Sequence, residues 1–185
     1  MKFDPVLGRQ IALAYDTLAR YNPAARYSFD AMAADERAQF IDLARDDLIE
    51  FAPWPRPDQP YANSAAMRAD VNGNRHLWVF IGGNTHPCRN ALQVYCGRAV
   101  HDVLGHAWPG NDFSPDGELA AFRAHAPHYS NAALPALACD NLGQTAYYYF
   151  HPVNEGKKHG DRIWPEQKVD LLPEFLWWPF LEVTK

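Results

Sequence analysis

The feature that most constrains this chain is an apolar helical run that ends in two histidines and an aspartate. From residue 91 to residue 103 the sequence is mostly apolar, and it overlaps the motif His101-Asp-Val-Leu-Gly-His106. A helix with so wide an apolar surface belongs in the interior of a protein. The fold must therefore bury a helix whose last turns carry two imidazoles and a carboxylate.

The hydrophobic periodicity along the rest of the chain predicts a mainly α, compact single domain spanning residues 1–185, with one short strand or hairpin beside this motif. A proline-rich crossing at residues 53–61 excludes helix there. The strand is predicted at residues 76–81, just before a Gly-Gly pair. Helices are predicted at about residues 5–20, 34–51, 64–70, 87–106, 118–125 and 131–150.

The composition excludes several classes of function. The formal net charge of −5 argues against nonspecific nucleic-acid binding, which needs a basic face. The sequence has no apolar window near 18 residues and no apolar core of a signal peptide, so we expect neither membrane association nor secretion. Cys88, Cys96 and Cys139 form no CxxC pair and are predicted to be reduced thiols in the cytoplasm. The expected partner is a small-molecule substrate, and the oligomeric state is left open.

Two histidines in this motif suggest a site for one divalent metal ion, since neutral imidazole is a common metal ligand. His101 and His106 are five positions apart, which separates them by about 140° around an ideal α-helix. Both can face one ion only if the helix ends or distorts between them, and Gly105 is where a distortion costs least. Further potential ligands follow downstream, namely Glu118, His125 and Asp140.

The motif resembles the HELLGH signature of the pterin-dependent aromatic amino-acid hydroxylases. Upstream, Leu77-Trp-Val-Phe80 resembles the strand that precedes the signature in that family, and Ala120-Ala-Phe122 resembles its FAxF helix. The segment Asp140-Asn-Leu-Gly143 lies where the family places its iron-binding glutamate. In total the resemblance covers roughly residues 77–150.

This resemblance implies a 2-His-1-carboxylate centre in which His101, His106 and Asp140 bind the metal. Fe(II) is the preferred ion, with Zn or Mn as alternatives, and the implied activity is that of a non-heme iron oxygenase or hydroxylase acting on a small organic or modified-base substrate. Glu118 is the alternative third ligand, or else the group that transfers protons. Asp102 stands where the family has glutamate and is expected to orient a ligand or hold substrate. The chain is much shorter than the family's domain and shows no clear pterin site.

The wider pattern RAVHDxxGHA…GE…H…Y…GQ resembles uncharacterised phage-associated domains, which implies that Arg98, Glu118, Tyr129 and Gln144 join the site. Arg98 lies one short turn before His101 and is suited to a substrate carboxylate or phosphate, with a surface or capping role as the alternative. His86, in the turn that follows the predicted strand, is a further predicted substrate contact.

Two other interpretations stay open at this stage. HD-type phosphohydrolases hold a divalent metal with a His, a His-Asp pair and a later Asp, and His86, His101-Asp102 and Asp140 occur here in that order. In that case the metal activates water for attack on a phosphate ester. Alternatively, the domain is non-catalytic and holds a structural metal, although structural zinc normally has four protein ligands and Cys96 and Cys139 lack a paired spacing.

Overall fold

The computed structural model describes residues 2–45, 48–83 and 85–181, and the mainly helical class predicted from the sequence is confirmed. Three π-helical segments, with i→i+5 hydrogen bonding, lie at Asp70–Asn74, His101–Ala107 and Ala138–Gly143. The longer elements are α1 (Pro5–Thr17), α2 (Arg26–Ala44), β1 (Glu50–Trp54), α3 (Ser64–Ala69), β2 (His76–Phe80), α4 (Ala91–Val100), α5 (Pro115–His125), α6 (Leu134–Leu137) and α7 (Gln144–Phe150).

Side-chain caps set the starts of the helices. Asp4 accepts hydrogen bonds from the first backbone amides of α1, as its position before Pro5 predicts. Asn63 caps α3, and Ser114 caps α5. Asn90 and Gln93 form a reciprocal capping box at the start of α4. The helix that carries the two histidines therefore has a firmly defined N-terminus.

The predicted strand is confirmed as β2, and its partner β1 runs parallel to it, so the two do not form a hairpin. The register pairs Glu50 with His76 and Trp54 with Phe80. β1 lies where the sequence predicted the end of a helix and the start of the proline-rich crossing. α2 instead starts earlier, at Arg26, and ends at Ala44, because the turn at Pro23 leads directly into it. Pro53 is tolerated because β1 is an edge strand.

Two hydrophobic clusters make up the core. The first is formed mainly by α1, α2, α5, α6, α7 and the C-terminal turns, and includes Phe122 of α5. The second is formed mainly by α3, β2, α4 and the π segment His101–Ala107, and includes Val103. This π segment packs against α5, so the two histidines lie along the seam where the clusters meet.

The three cysteines are free, as predicted. Cys96 and Cys139 are buried, and Cys88 is partly exposed. Within residues 2–45, 48–83 and 85–181, no helix combines the length and the apolar character that crossing a membrane requires.

Candidate metal centre

A change of helical geometry brings the two histidines of the motif together. α4 does not stop at Val100 but continues as the π segment His101–Ala107, where the amide of Trp108 donates to the carbonyl of Val103 at 3.0 Å. An i→i+5 turn returns to the same side of the helix after five residues. As a result, Nε2 of His101 and Nε2 of His106 are 3.0 Å apart. Of the two predicted possibilities, that the helix ends or that it distorts between the histidines, the structure shows the distortion.

Gly105 allows α5 to lie close against this π segment. A Cβ at position 105 would lie 3.2 Å from Cβ of Ala121 and 3.4 Å from Nδ1 of His101. Any larger residue would therefore press on both the neighbouring helix and one of the two imidazoles. Asn111 braces the same turn by donating from Nδ2 to the carbonyl of Gly105 at 2.8 Å.

Glu118, on the first turn of α5, completes a group of three potential metal ligands. Its Oε2 lies 3.7 Å from Nε2 of His101 and 3.5 Å from Nε2 of His106. Ligands about 2.1 Å from one ion lie about 3.0 Å apart in octahedral geometry and about 3.4 Å apart in tetrahedral geometry. The separations of 3.0, 3.5 and 3.7 Å therefore suit three ligands on one side of a single ion. Among the described residues, this is the group whose His, Cys or carboxylate ligand atoms converge.

The centre is buried on one side and accessible on the other. His106 is 1% exposed, whereas the side chains of His101 and Glu118 are 22% and 19% exposed. The edge of the Phe113 ring packs against His106, with ring centroids 5.1 Å apart. A metal held here would therefore be enclosed at His106 and nearer to solvent at His101 and Glu118.

The electrostatics favour the ionised form of Glu118. Burial disfavours its charge, but hydrogen bonds and charge interactions with His101 and His106 outweigh burial and lower the pKa of Glu118 to about 2. For His106, burial lowers the pKa, yet the nearby Glu118 and Asp102 raise it overall. For Asp102 the balance is reversed, because burial raises its pKa more than the two imidazoles lower it.

Asp140, the predicted third ligand, is engaged in a neighbouring ion-pair network. Its Oδ2 lies 3.2 Å from Arg89, and its Oδ1 accepts a hydrogen bond from Gln144. Arg89 also pairs with the buried Glu36. The side chain that reaches the histidines from this part of the chain is that of the next residue, Asn141, whose amide nitrogen Nδ2 is 3.1 Å from Nδ1 of His101. Of the two alternatives for the third ligand, the geometry favours Glu118.

Two of the predicted substrate-binding residues, His86 and Arg98, are associated with the loop between β2 and α4. His86 lies in this loop, and Arg98 holds the start of the loop in place. Arg98 donates to the carbonyls of Phe80 at 2.6 Å and Gly82 at 2.7 Å, which fastens the chain just after β2. His86 is 7% exposed and packs against the ring of Phe29. Its Nδ1 accepts from the backbone amide of Cys88 at 3.3 Å. Both side chains therefore have contacts within the protein.

The other two predicted contacts lie deeper. The Tyr129 ring packs on His125, with centroids 4.7 Å apart, and His125 lies beside His101 with centroids 6.0 Å apart. Gln144 holds Asp140, and its Oε1 accepts from the indole of Trp164 at 3.1 Å. Neither Tyr129 nor Gln144 contributes to the three converging ligand atoms.

Asn141 is the functional candidate that sequence reasoning missed. It forms part of the π segment Ala138–Gly143, and α5 packs against this segment. Its only signal in the sequence is its position next to Asp140, the residue predicted as the third ligand. No protein-family model, curated protein or solved structure matches this chain.

Proposed function

We propose that this protein is a mononuclear metal enzyme in which His101, His106 and Glu118 bind one Fe(II) ion, and that it acts as an oxygenase or hydroxylase. The observation that carries the proposal is the convergence of two imidazole nitrogens and one carboxylate oxygen, at separations of 3.0, 3.5 and 3.7 Å. Two histidines and one carboxylate on one side of an ion are the ligand set of non-heme iron oxygenases.

The number of ligands argues for a catalytic metal over a structural one. A structural zinc site is normally closed by four protein ligands, often cysteines, whereas a catalytic site keeps a position open. Here three ligand atoms converge in the described part of the chain, and none comes from Cys96 or Cys139. The partial exposure of His101 and Glu118 supports access by a second molecule.

When bound, ferrous iron supplies the redox chemistry that activates dioxygen. The chain itself supplies an ionised Glu118 and a buried His106 whose position is fixed by packing against Phe113. We propose a small organic molecule or a modified base as substrate, entering on the side where His101 and Glu118 are exposed. Asp102 is proposed to contact substrate or orient a ligand.

A hydrolase is the second candidate function, because two histidines and a glutamate also hold catalytic zinc in metallopeptidases. The separations of 3.5 and 3.7 Å from Glu118 to the two histidines, close to a tetrahedral edge, are the observation that favours it. The HD-type arrangement has less support, since His86 packs against Phe29 and Asp140 pairs with Arg89.

The deciding experiment is an anaerobic titration of the purified protein with Fe(II), followed by nitric oxide as a spectroscopic probe. We expect one iron per chain and the high-spin EPR signal of an iron–nitrosyl adduct, which requires an open coordination position. His101→Gln and Glu118→Gln should lose binding, whereas His159→Gln is the control outside the ligand group and should keep it.

The proposal fails if the native protein binds no iron, or if both ligand variants bind it as well as the native protein does. Binding of two manganese ions with phosphatase activity would support the HD-type hydrolase, and one zinc with peptidase or esterase activity would support the zinc hydrolase. Asp102→Asn distinguishes the HD-type hydrolase from the oxygenase, because an HD-type site would lose its metal and the proposed oxygenase would retain it.

A further inference from the structure

We propose that Asn141 is a positioning residue that holds His101 in the tautomer and ring orientation needed for metal binding. This inference rests on the proposed metal centre. Its basis is the distance of 3.1 Å between Nδ2 of the Asn141 side-chain amide and Nδ1 of His101. Nε2 of the same ring is the atom directed at His106 and Glu118.

The chemistry of imidazole explains why Nδ1 needs a partner. To bind a metal through Nε2, a neutral histidine must carry its proton on Nδ1, and a hydrogen-bond acceptor at Nδ1 fixes that tautomer. In the structure the NH₂ group of Asn141 faces Nδ1, which suits the tautomer with its proton on Nε2. A half-turn of the same amide presents its oxygen, which accepts the Nδ1 proton of the metal-binding tautomer. Asparagine can therefore serve His101 both with and without a metal.

The contacts around Nδ1 of His101 identify Asn141 as its hydrogen-bond partner. On one side, Nδ1 lies against the backbone of Gly105, where a Cβ would be only 3.4 Å away. Among the described residues, Asn141 is the one hydrogen-bonded to this nitrogen. Asn141 is itself held in place, because the preceding residue, Asp140, is anchored by Arg89 and Gln144.

The two histidines differ in this respect. Nδ1 of His106 is buried and lacks a hydrogen-bond partner of good geometry in the described part of the chain. In the absence of a metal, the short separation of the two Nε2 atoms requires one of them to donate to the other. With Nδ2 of Asn141 donating to Nδ1, His101 carries its proton on Nε2 and donates it to His106. Metal binding requires this proton to move to Nδ1, where the oxygen of the turned Asn141 amide accepts it. Loss of the Asn141 amide therefore affects His101 first.

The test compares Asn141→Leu, which keeps the size but removes hydrogen bonding, with Asn141→Asp, which keeps an acceptor oxygen. Zinc serves as a diamagnetic probe, and long-range ¹H–¹⁵N NMR of the imidazole nitrogens reports the tautomer of each histidine. Asn131→Leu, at an exposed position, is the matched control. Removing such an outer partner typically weakens metal binding about 10- to 100-fold.

We expect His101 of the native protein to be protonated at Nδ1 when zinc is bound. Asn141→Leu should weaken zinc binding by about 10- to 100-fold, Asn141→Asp should restore it, and Asn131→Leu should leave it unchanged. If the native protein binds no zinc or iron, the proposed metal centre fails. If it binds zinc but Asn141→Leu binds equally well with the same tautomer, the role of Asn141 is overturned. If Asn141→Leu does not fold, the native protein alone decides. An unprotonated Nδ1 of His101 in the zinc-bound native protein would also overturn the role of Asn141.

Discussion

The backbone of Gly105 lies so close to α5 that a Cβ at position 105 would be 3.2 Å from Cβ of Ala121. This contact brings together the two elements that carry the metal ligands, because the histidines lie on the π segment and Glu118 lies on α5. The close approach of the two helices and the geometry of the centre therefore depend on one small residue.

Gly105→Ala should weaken both the fold and the centre. The added methyl group would lie 3.2 Å from Cβ of Ala121, so α5 must move by a few tenths of an ångström, and overpacking of this kind costs about 1–3 kcal/mol. Urea denaturation measures the loss, and an iron or zinc titration measures the effect on the ligands. Gly160→Ala is the control, since a Cβ there meets nothing within 4 Å. Equal stability and equal metal affinity for both variants would contradict the importance of this contact.

Metal binding should stabilise the native protein but not Glu118→Gln. A metal at 100 times its Kd raises the free energy of unfolding by about 2.7 kcal/mol, and this gain disappears when binding is lost. Thermal unfolding with and without Fe(II), under anaerobic conditions, measures the difference. We expect Asp140→Asn to retain the stabilisation, because Asp140 contacts Arg89 and Gln144. Loss of the effect in Asp140→Asn with its retention in Glu118→Gln would identify Asp140 as the third ligand.

Arg89→Met should be strongly destabilising. The side chains of Arg89 and Glu36 are 4% and 5% exposed, and Arg89 also pairs with Asp140. Burial alone would lower the pKa of Arg89, but the two carboxylates raise it overall, so the guanidinium stays charged. Burial raises the pKa of Glu36 to about 8 even though Arg89 lowers it. Removing the guanidinium leaves this buried carboxyl group without its charged partner, at a cost of about 3–5 kcal/mol.

The paired substitution Glu36→Gln in the Arg89→Met background separates charge from packing. It removes the uncompensated buried charge, so we expect it to recover part of the lost stability in urea denaturation. If the double variant loses as much free energy of unfolding as the two single variants lose in sum, the two side chains are not coupled.

Asp70 should make stability depend on pH in the acid range. Its carboxylate accepts hydrogen bonds from the hydroxyl of Tyr61, from Asn74 and from His76, each at 2.8 Å. Burial raises the pKa of Asp70, but these hydrogen bonds outweigh it and lower the pKa below its usual range. A lowered pKa in the folded state means that the stabilisation is present above the unfolded pKa of about 3.9 and is lost as the pH falls through the folded value.

Asp70→Asn tests this pH dependence. At neutral pH we expect the variant to be about 1–3 kcal/mol less stable than the native protein, since it loses the hydrogen bonds to a charged acceptor. The difference should shrink below about pH 4, where the native carboxylate becomes protonated. Chemical denaturation at a series of pH values measures both. A difference that stays constant from neutral pH to below pH 3 would show that the carboxylate charge is not responsible.

Much of the secondary structure could be predicted because it depends on neighbours in the sequence. The cap at Asp4, the cap at Asn63 and the strand β2 follow from local composition and periodicity. β1 could not be predicted, because a strand that contains Pro53 forms only where β2 is available to pair with it. The start of α2 could not be predicted from the apolar positions after residue 34, because the 3₁₀ turn Pro23–Ala25 leads directly into the helix at Arg26.

For the candidate centre, the sequence by itself determined that His101 and His106 lie near the end of a buried helix and share one side only if that helix ends or distorts between them. Only the tertiary structure decided that the distortion is a π segment and that Glu118 completes the group while Asn141 contacts His101. The physical reason is that helical periodicity is local, whereas the identity of the third side chain depends on how closely α5 packs at Gly105. That distance is set by side-chain volumes on elements far apart in the chain.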